Sequence, residues 1–134
     1  MNTITTDDIL SPQGRISQRL SRYEHRPQQL EMALAVERAL ADQQHLVVEA
    51  GTGVGKSFGY LVPAILWATE NEDHPPVDED DDSERRRIVI STHTISLQEQ
   101  LLTKDLPLLN SVIPREFTSV LVNRRRHYVS LRRL

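Results

Sequence analysis

The 134-residue chain has no cysteine. That excludes a disulfide framework, a thiol nucleophile and any zinc or iron–sulfur site built on thiolates within this sequence. No apolar run approaches the roughly 20 residues needed to span a bilayer. The first residues, Met1 to Asp8, are polar and acidic, unlike a secretory leader. The implied setting is cytoplasmic, with no membrane partner. At 38% apolar and 26% charged residues the composition is that of a soluble domain rather than a collagen or a coiled coil. No internal repeat is visible. Lysine and arginine are missing from Glu70 to Glu84, a stretch with nine acidic residues, although the chain as a whole carries a net charge of only −3. Outside that block 16 basic residues face 10 acidic ones. The remainder is therefore basic, and an anionic partner such as nucleotide or nucleic acid is electrostatically permitted.

Alternating helix and strand signals run along the chain. Ile16, Leu20 and Tyr23 recur at helical spacing after Ser11-Pro12. Arg26-Pro27 marks a boundary, because a residue before proline avoids helical backbone while proline suits a first helical position. Gln28 to Ala41 is dense in helix formers. His45 to Glu49 is a short β-branched run before a glycine-rich turn, and Lys56 to Thr69 is the following helix, interrupted by Pro63. Ile88-Val89-Ile90 and Val120-Leu121-Val122 predict two further strands. Between the first of these and the second, Ser96 with Glu99 suggests a capped helix stopping before Pro107. The acidic insertion at 70–86, with Pro75-Pro76, is expected to be disordered. The order predicts an α/β fold with a parallel sheet flanked by helices.

The segment Ala50-Gly51-Thr52-Gly53-Val54-Gly55-Lys56-Ser57 follows the phosphate-binding P-loop pattern, with alanine in place of the first glycine. Small residues let successive backbone N–H groups turn inward around a phosphate, and the helix that follows adds its N-terminal dipole to the same anion. Lys56 brings a cation to the β- and γ-phosphates, and the Ser57 hydroxyl is a hard oxygen suited to Mg²⁺. Lys56 and Ser57 are thus the candidate catalytic pair, and ATP with Mg²⁺ the implied cofactors. Hydrolysis also needs an acidic residue at the end of an apolar strand. Asp78 to Asp82 has no such strand before it, so efficient turnover is not expected of this chain alone.

Three strings in order, Tyr23-Glu24-His25-Arg26-Pro27-Gln28-Gln29-Leu30-Glu31-Met32, the P-loop, and Ser91-Thr92-His93-Thr94-Ile95-Ser96-Leu97-Gln98-Glu99-Gln100-Leu101, resemble the opening part of a DinG/XPD-type superfamily-two DNA helicase. The resemblance runs from about Ile9 to Leu134. It implies an incomplete RecA-like P-loop NTPase domain over 26–134, preceded by a helical lead-in over 1–25. It places Arg26 and Gln29 at the adenine end of ATP, where a side-chain amide can donate and accept at once. It places Thr92, His93 and Thr94 on the backbone of single-stranded DNA, where hydroxyls and amides bond phosphate oxygens without reading bases. Helix capping by Thr94 or Ser96 is the competing role.

The C-terminal end departs from the pattern. Ser130 stands where iron–sulfur members of the family carry a cluster cysteine, with Arg124 for the glycine and His127 for the asparagine. A serine hydroxyl does not replace a soft thiolate, so no cluster is expected. Three functions stay open on these grounds: the ATP-binding part of a helicase whose complete form unwinds DNA, a stand-alone nucleotide- or DNA-binding module without turnover, and an unrelated P-loop ATPase or kinase.

Overall fold

Thr5 opens the first helix, α1 (Thr6–Leu10), with a reciprocal capping box: its hydroxyl accepts from the Asp8 amide at 3.3 Å, and the Asp8 carboxylate accepts from the Thr5 amide at 2.9 Å. A turn through Pro12 and Gly14 leads into α2 (Arg15–Arg19). The computed structural model describes residues 4–21, 23–51, 55–70 and 86–122. Pro27 occupies the first turn of α3 (Pro27–Asp42), which ends on Gln43 in left-handed conformation. Next comes α4 (Lys56–Thr69), followed by α5 (Ile95–Gln100), a π-helical turn (Leu101–Asp105) and α6 (Leu106–Val112).

The helix expected after Ser11-Pro12 is α2, which ends at Arg19, and α1 precedes it. Tyr23 consequently leaves the helical stripe on which its spacing from Ile16 and Leu20 would put it. Thr94, not Ser96, caps α5, its hydroxyl accepting from the Leu97 amide at 3.2 Å. Pro107 does not stop the helical run. It falls in the first turn of α6, directly after the π-helical turn.

The expected parallel sheet, and with it the RecA-like layer arrangement, is not seen: the described residues contain no strand, only helices. Residues 45–49, 88–90 and 120–122 join no ladder. Apolar runs of this kind become strands only when a neighbour lies about 4.8 Å to the side to take their N–H and C=O groups. They are also not enclosed. Val47 is 96% exposed and Val89 93%, whereas a strand inside a parallel sheet is buried on both faces.

Burial comes from the helices instead. The longest apolar stretch of α4, Leu61 to Leu66, is buried throughout. It packs chiefly on α3, with α1 and the π-helical turn at its flanks. Ile9, Ile16 and Leu109, each fully enclosed, bring α1, α2 and α6 to the same core. The α3–α4 approach is close at Gly59, where a larger residue would make the Met32 side chain shift. A Cβ on Gly59 would lie 2.9 Å from the Met32 sulfur.

Two clasps tie the periphery to α4. The Arg86 guanidinium donates to the Trp67 carbonyl at 3.0 Å and to the Glu70 carboxylate at 2.7 Å, and stands 4.6 Å from the Trp67 ring centre. Arg115 donates to the Leu66 carbonyl at 3.3 Å. The two flanks of the acidic stretch are therefore pinned together, while residues 71–85 themselves lie outside the described residues.

Glu37 gives the α1–α3 contact a pH dependence. Burial, aided by the nearby Asp7 carboxylate, holds its carboxyl above the ordinary value of 4.5. A carboxyl raised on folding favours the folded state most below its unfolded pKa, and that contribution is lost as pH rises through the raised value. Glu37→Gln is therefore expected to melt like the parent chain near pH 4 and higher than it at pH 7. Equal melting temperatures at both pH values would show that the α1 side exerts no such pressure.

Candidate nucleotide site

The residues around Arg26 and the start of α4 meet because α3 and α4 are packed side by side with their N-termini at the same end. Gln29, in the first turn of α3, is 2% exposed and bonded at both ends of its amide. Its Oε1 accepts from the Tyr23 hydroxyl at 2.7 Å, and its Nε2 donates to the Gly55 carbonyl at 2.9 Å. That carbonyl also accepts the first α4 hydrogen bond, from the Gly59 amide. Gly55 itself is the residue before the helix and adopts φ +80°, where a side chain is strained. A Cβ there would collide with Gln29 Nε2 and come within 3.5 Å of the Arg26 guanidinium. The two ends of the expected ATP site, far apart in sequence, are thus locked through one amide.

A cavity of about 520 Å³ opens beside this lock. Leu20, Tyr23 and Phe58 give it apolar walls, and Ser21, Glu24, Arg26 and Gln29 give it polar ones, with Gly55 at its edge. Apolar faces with a few convergent polar groups are the usual lining of a small-ligand site. Burial raises the Tyr23 hydroxyl pKa above its ordinary value, and the Arg26 charge only partly offsets it. The phenol therefore stays protonated and able to donate to Gln29.

Lys56 is the first residue of α4 and exposed; Ser57 follows it, half-buried. No side chain caps the N-terminus of this 14-residue helix, so its first amides keep an anion-binding role available. Ala50 and Gly51 are described and lie outside any helix, with open space where a Gly51 side chain would stand. Thr52, Gly53 and Val54, the middle of the expected cradle, lie outside the described residues.

Behind Ser57 sits Asp105, the last residue of the π-helical turn and 9% exposed. Burial pushes its carboxyl above the usual range, opposed by hydrogen bonding from Gln100, the Lys104 charge and hydrogen bonding from Ser57. Tyr60 is raised chiefly by burial. A hydrogen bond from Ser57 lowers it and the Asp105 charge raises it further. Ser57 and Tyr60 thus lie near Asp105, whose carboxylate accepts from the Gln100 side-chain amide at 3.3 Å. A hydroxyl and a carboxylate are hard oxygen donors that suit Mg²⁺ rather than a soft metal. The described residues hold no cluster of three or more His, Cys, Asp or Glu that could bind a metal unaided.

Thr92, His93 and Thr94 stand at the other end of the helical run, before α5. His93 and Thr94 are exposed. The Thr92 hydroxyl donates to the Thr94 carbonyl at 3.3 Å, and Thr94 is occupied as the α5 cap. Ser130 and the arginines from Arg124 onward lie outside the described residues.

Over 116 residues the chain is 34% identical to the 3′-5′ exonuclease DinG of Bacillus subtilis, which covers 87% of the chain and 11% of that protein. It is 35% identical over 127 residues to the ATP-dependent DNA helicase YoaA of Haemophilus influenzae, covering 95% of the chain and 17% of the relative. With the ATP-dependent helicase DinG of Mycobacterium tuberculosis it shares 43% over 110 residues, or 79% of the chain and 15% of the relative. By sequence, the chain belongs to the DinG-type helicases. It spans less than a fifth of the length of these DinG and YoaA relatives. No family model matches it, and no solved structure does. No helix among the described residues is long and apolar enough to cross a membrane.

Two polar partners in this DinG-type segment escape a reading of the sequence by motif. Tyr23 sits in the family-like string but takes its role from leaving the helix. Asp105 carried a usable signal. Leu101, Asp105, Leu109 and Val112 share one buried stripe, and an acid there occupies a leucine's place.

Proposed function

We propose that this chain binds ATP with Mg²⁺ and is the ATP-binding part of a DinG-type DNA helicase. Arg26 and Gln29 hold the adenine end, Ala50, Gly51, Thr52, Gly53, Val54 and Gly55 wrap the phosphates, Lys56 faces the β- and γ-phosphates, and the Ser57 hydroxyl reaches the ion. The observation that carries this reading is the Gln29 Nε2–Gly55 carbonyl bond at 2.9 Å, which joins the base-reading side chain to the phosphate turn beside an open cavity. Beyond these bonds the Gln29 amide has one further N–H and one further lone pair, a donor–acceptor pair that complements the adenine edge. In the complete helicase, ATP hydrolysis would drive translocation on DNA with a single-stranded portion, gripped in part by Thr92, His93 and Thr94. On its own the chain would bind nucleotide without unwinding. The names of the relatives support both ligands, and cytoplasmic location goes with that role.

Equilibrium binding of a fluorescent ATP analogue, with unlabelled ATP and GTP as competitors, tests the proposal. Lys56→Ala should weaken binding at least about tenfold, the value of one charge-assisted contact, without changing the melting temperature. Gln29→Ala should weaken all nucleotides and bring the ATP and GTP affinities together. Unchanged affinity in Lys56→Ala would remove the P-loop assignment. An undiminished preference for ATP in Gln29→Ala would show that Gln29 does not read the base.

A further inference from the structure

We propose that Tyr23 sets the preference for adenine over guanine nucleotides, as a positioning residue that holds the Gln29 amide in one plane. This role rests on the nucleotide-site reading and deepens it. Its ground is a relay of two hydrogen bonds through one buried amide. The Tyr23 hydroxyl donates to Gln29 Oε1 at 2.7 Å, and Gln29 Nε2 donates to the Gly55 carbonyl at 2.9 Å. All three residues line the cavity of about 520 Å³, and Gln29 is enclosed there at 2% exposure.

An amide that can turn is a poor reader of bases, because a half-turn exchanges its oxygen and nitrogen ends. Adenine offers its N6–H donor beside the N7 acceptor, whereas guanine offers two acceptors, O6 and N7. One fixed orientation of the amide therefore suits adenine and sets an oxygen against guanine O6. The two bonds divide the work of holding that orientation. The Gly55 carbonyl can only accept, so it decides which end of the amide is the nitrogen. By itself it leaves the amide free to swing about one contact. Tyr23 removes the swing by pinning the oxygen, and the further N–H and lone pair of Gln29 then keep their directions. The tyrosine is itself well held. Helix α2 ends at Arg19, and a turn closed by the Tyr23 amide on the Leu20 carbonyl at 3.1 Å leads the chain toward α3. The ring packs against the hydrophobic core. A side chain locked by packing can fix its neighbour with little further loss of freedom.

Competition against a fluorescent ATP analogue tests this, with ATP, GTP and inorganic tripolyphosphate as the competitors. The parent chain should prefer ATP to GTP. Tyr23→Phe, which keeps the ring and removes the hydroxyl, should cut that preference about fivefold, the value of one neutral hydrogen bond. Tripolyphosphate reports the phosphate end alone and should compete as it does with the parent. In the Gln29→Ala background Tyr23→Phe should change the preference no further, because the hydroxyl acts only through that amide. Circular dichroism and thermal melting check that each variant is folded. A folded Tyr23→Phe with the parental preference overturns the proposal and leaves the nucleotide site standing. An equal loss for all three competitors overturns it too, since Tyr23 would then serve packing alone, and so does failure of Tyr23→Phe to fold. A further loss of preference in the double variant has the same consequence. A parent chain that binds ATP and GTP equally removes base reading by Gln29 and this role together, and one that binds neither removes the site.

Discussion

Gly55→Ala should lower the melting temperature by about 10 °C and weaken nucleotide binding by at least about a hundredfold. Two penalties combine. An L-residue in the left-handed region costs about 1–2 kcal/mol, and Gly55 sits there at φ +80°. The new Cβ would also occupy the place of Gln29 Nε2. Displacing a buried amide from its partners costs a further 1–3 kcal/mol or so. At about 4 °C per kcal/mol for a domain of this size, the two give the stated shift. Affinity falls because Gly55 sets the direction of the next two residues, Lys56 and Ser57, and because Gln29 can no longer join the base to the phosphate turn. Gly51→Ala is the matched control. Its Cβ would meet nothing within 4 Å, so it should melt like the parent. If Gly55→Ala melts and binds as the parent does, the Gln29–Gly55 lock is not a feature of the folded chain.

The sequence announces some of this arrangement and withholds the rest for physical reasons. Lys56 to Thr69 emerges with the boundaries read from the chain, because a glycine turn starts it and an apolar run sustains it. Helix α3 extends one residue further at each end than its string of helix formers suggests. Both helices are specified by local signals. The strands were read from equally local signals, β-branched runs at 45–49, 88–90 and 120–122, but a strand is a relation between segments. Val47 and Val89 record a demand for burial that the described residues do not meet. Loop chemistry pointed to Lys56 and Ser57, and resemblance pointed to Arg26 and Gln29. Neither could show that Gln29 is buried and shared between Tyr23 and Gly55, because that depends on two helices 26 residues apart packing side by side. Asp105 was hidden by the π-helical turn, for which there is no simple sequence code.

Leu61→Ala should abolish cooperative folding altogether, a larger effect than any substitution at the site itself. Leu61 is 1% exposed in the second turn of α4 and belongs to the single core that α1, α2, α3 and α6 share with it. Truncating such a leucine costs about 2–5 kcal/mol in lost transfer energy and residual cavity. Small domains hold only about 5–15 kcal/mol in total. This chain has less reserve than most, since large side chains such as Val47, Val89 and Val120 remain in water and contribute nothing to burial. The expected result is a sloping, low-temperature loss of helical circular dichroism in place of a sigmoidal transition. Nucleotide binding should vanish with it. The contrast with Lys56→Ala is decisive for what α4 does. The lysine variant should lose binding and keep its melt, whereas the leucine variant should lose both, because one helix carries the phosphate end on its first turn and the core on the turns that follow. A sharp, near-parental melt for Leu61→Ala would mean that α4 is not the centre of the packing. The placement of Gly55, Lys56 and Ser57 at the start of α4 would then lack a packed helix behind it.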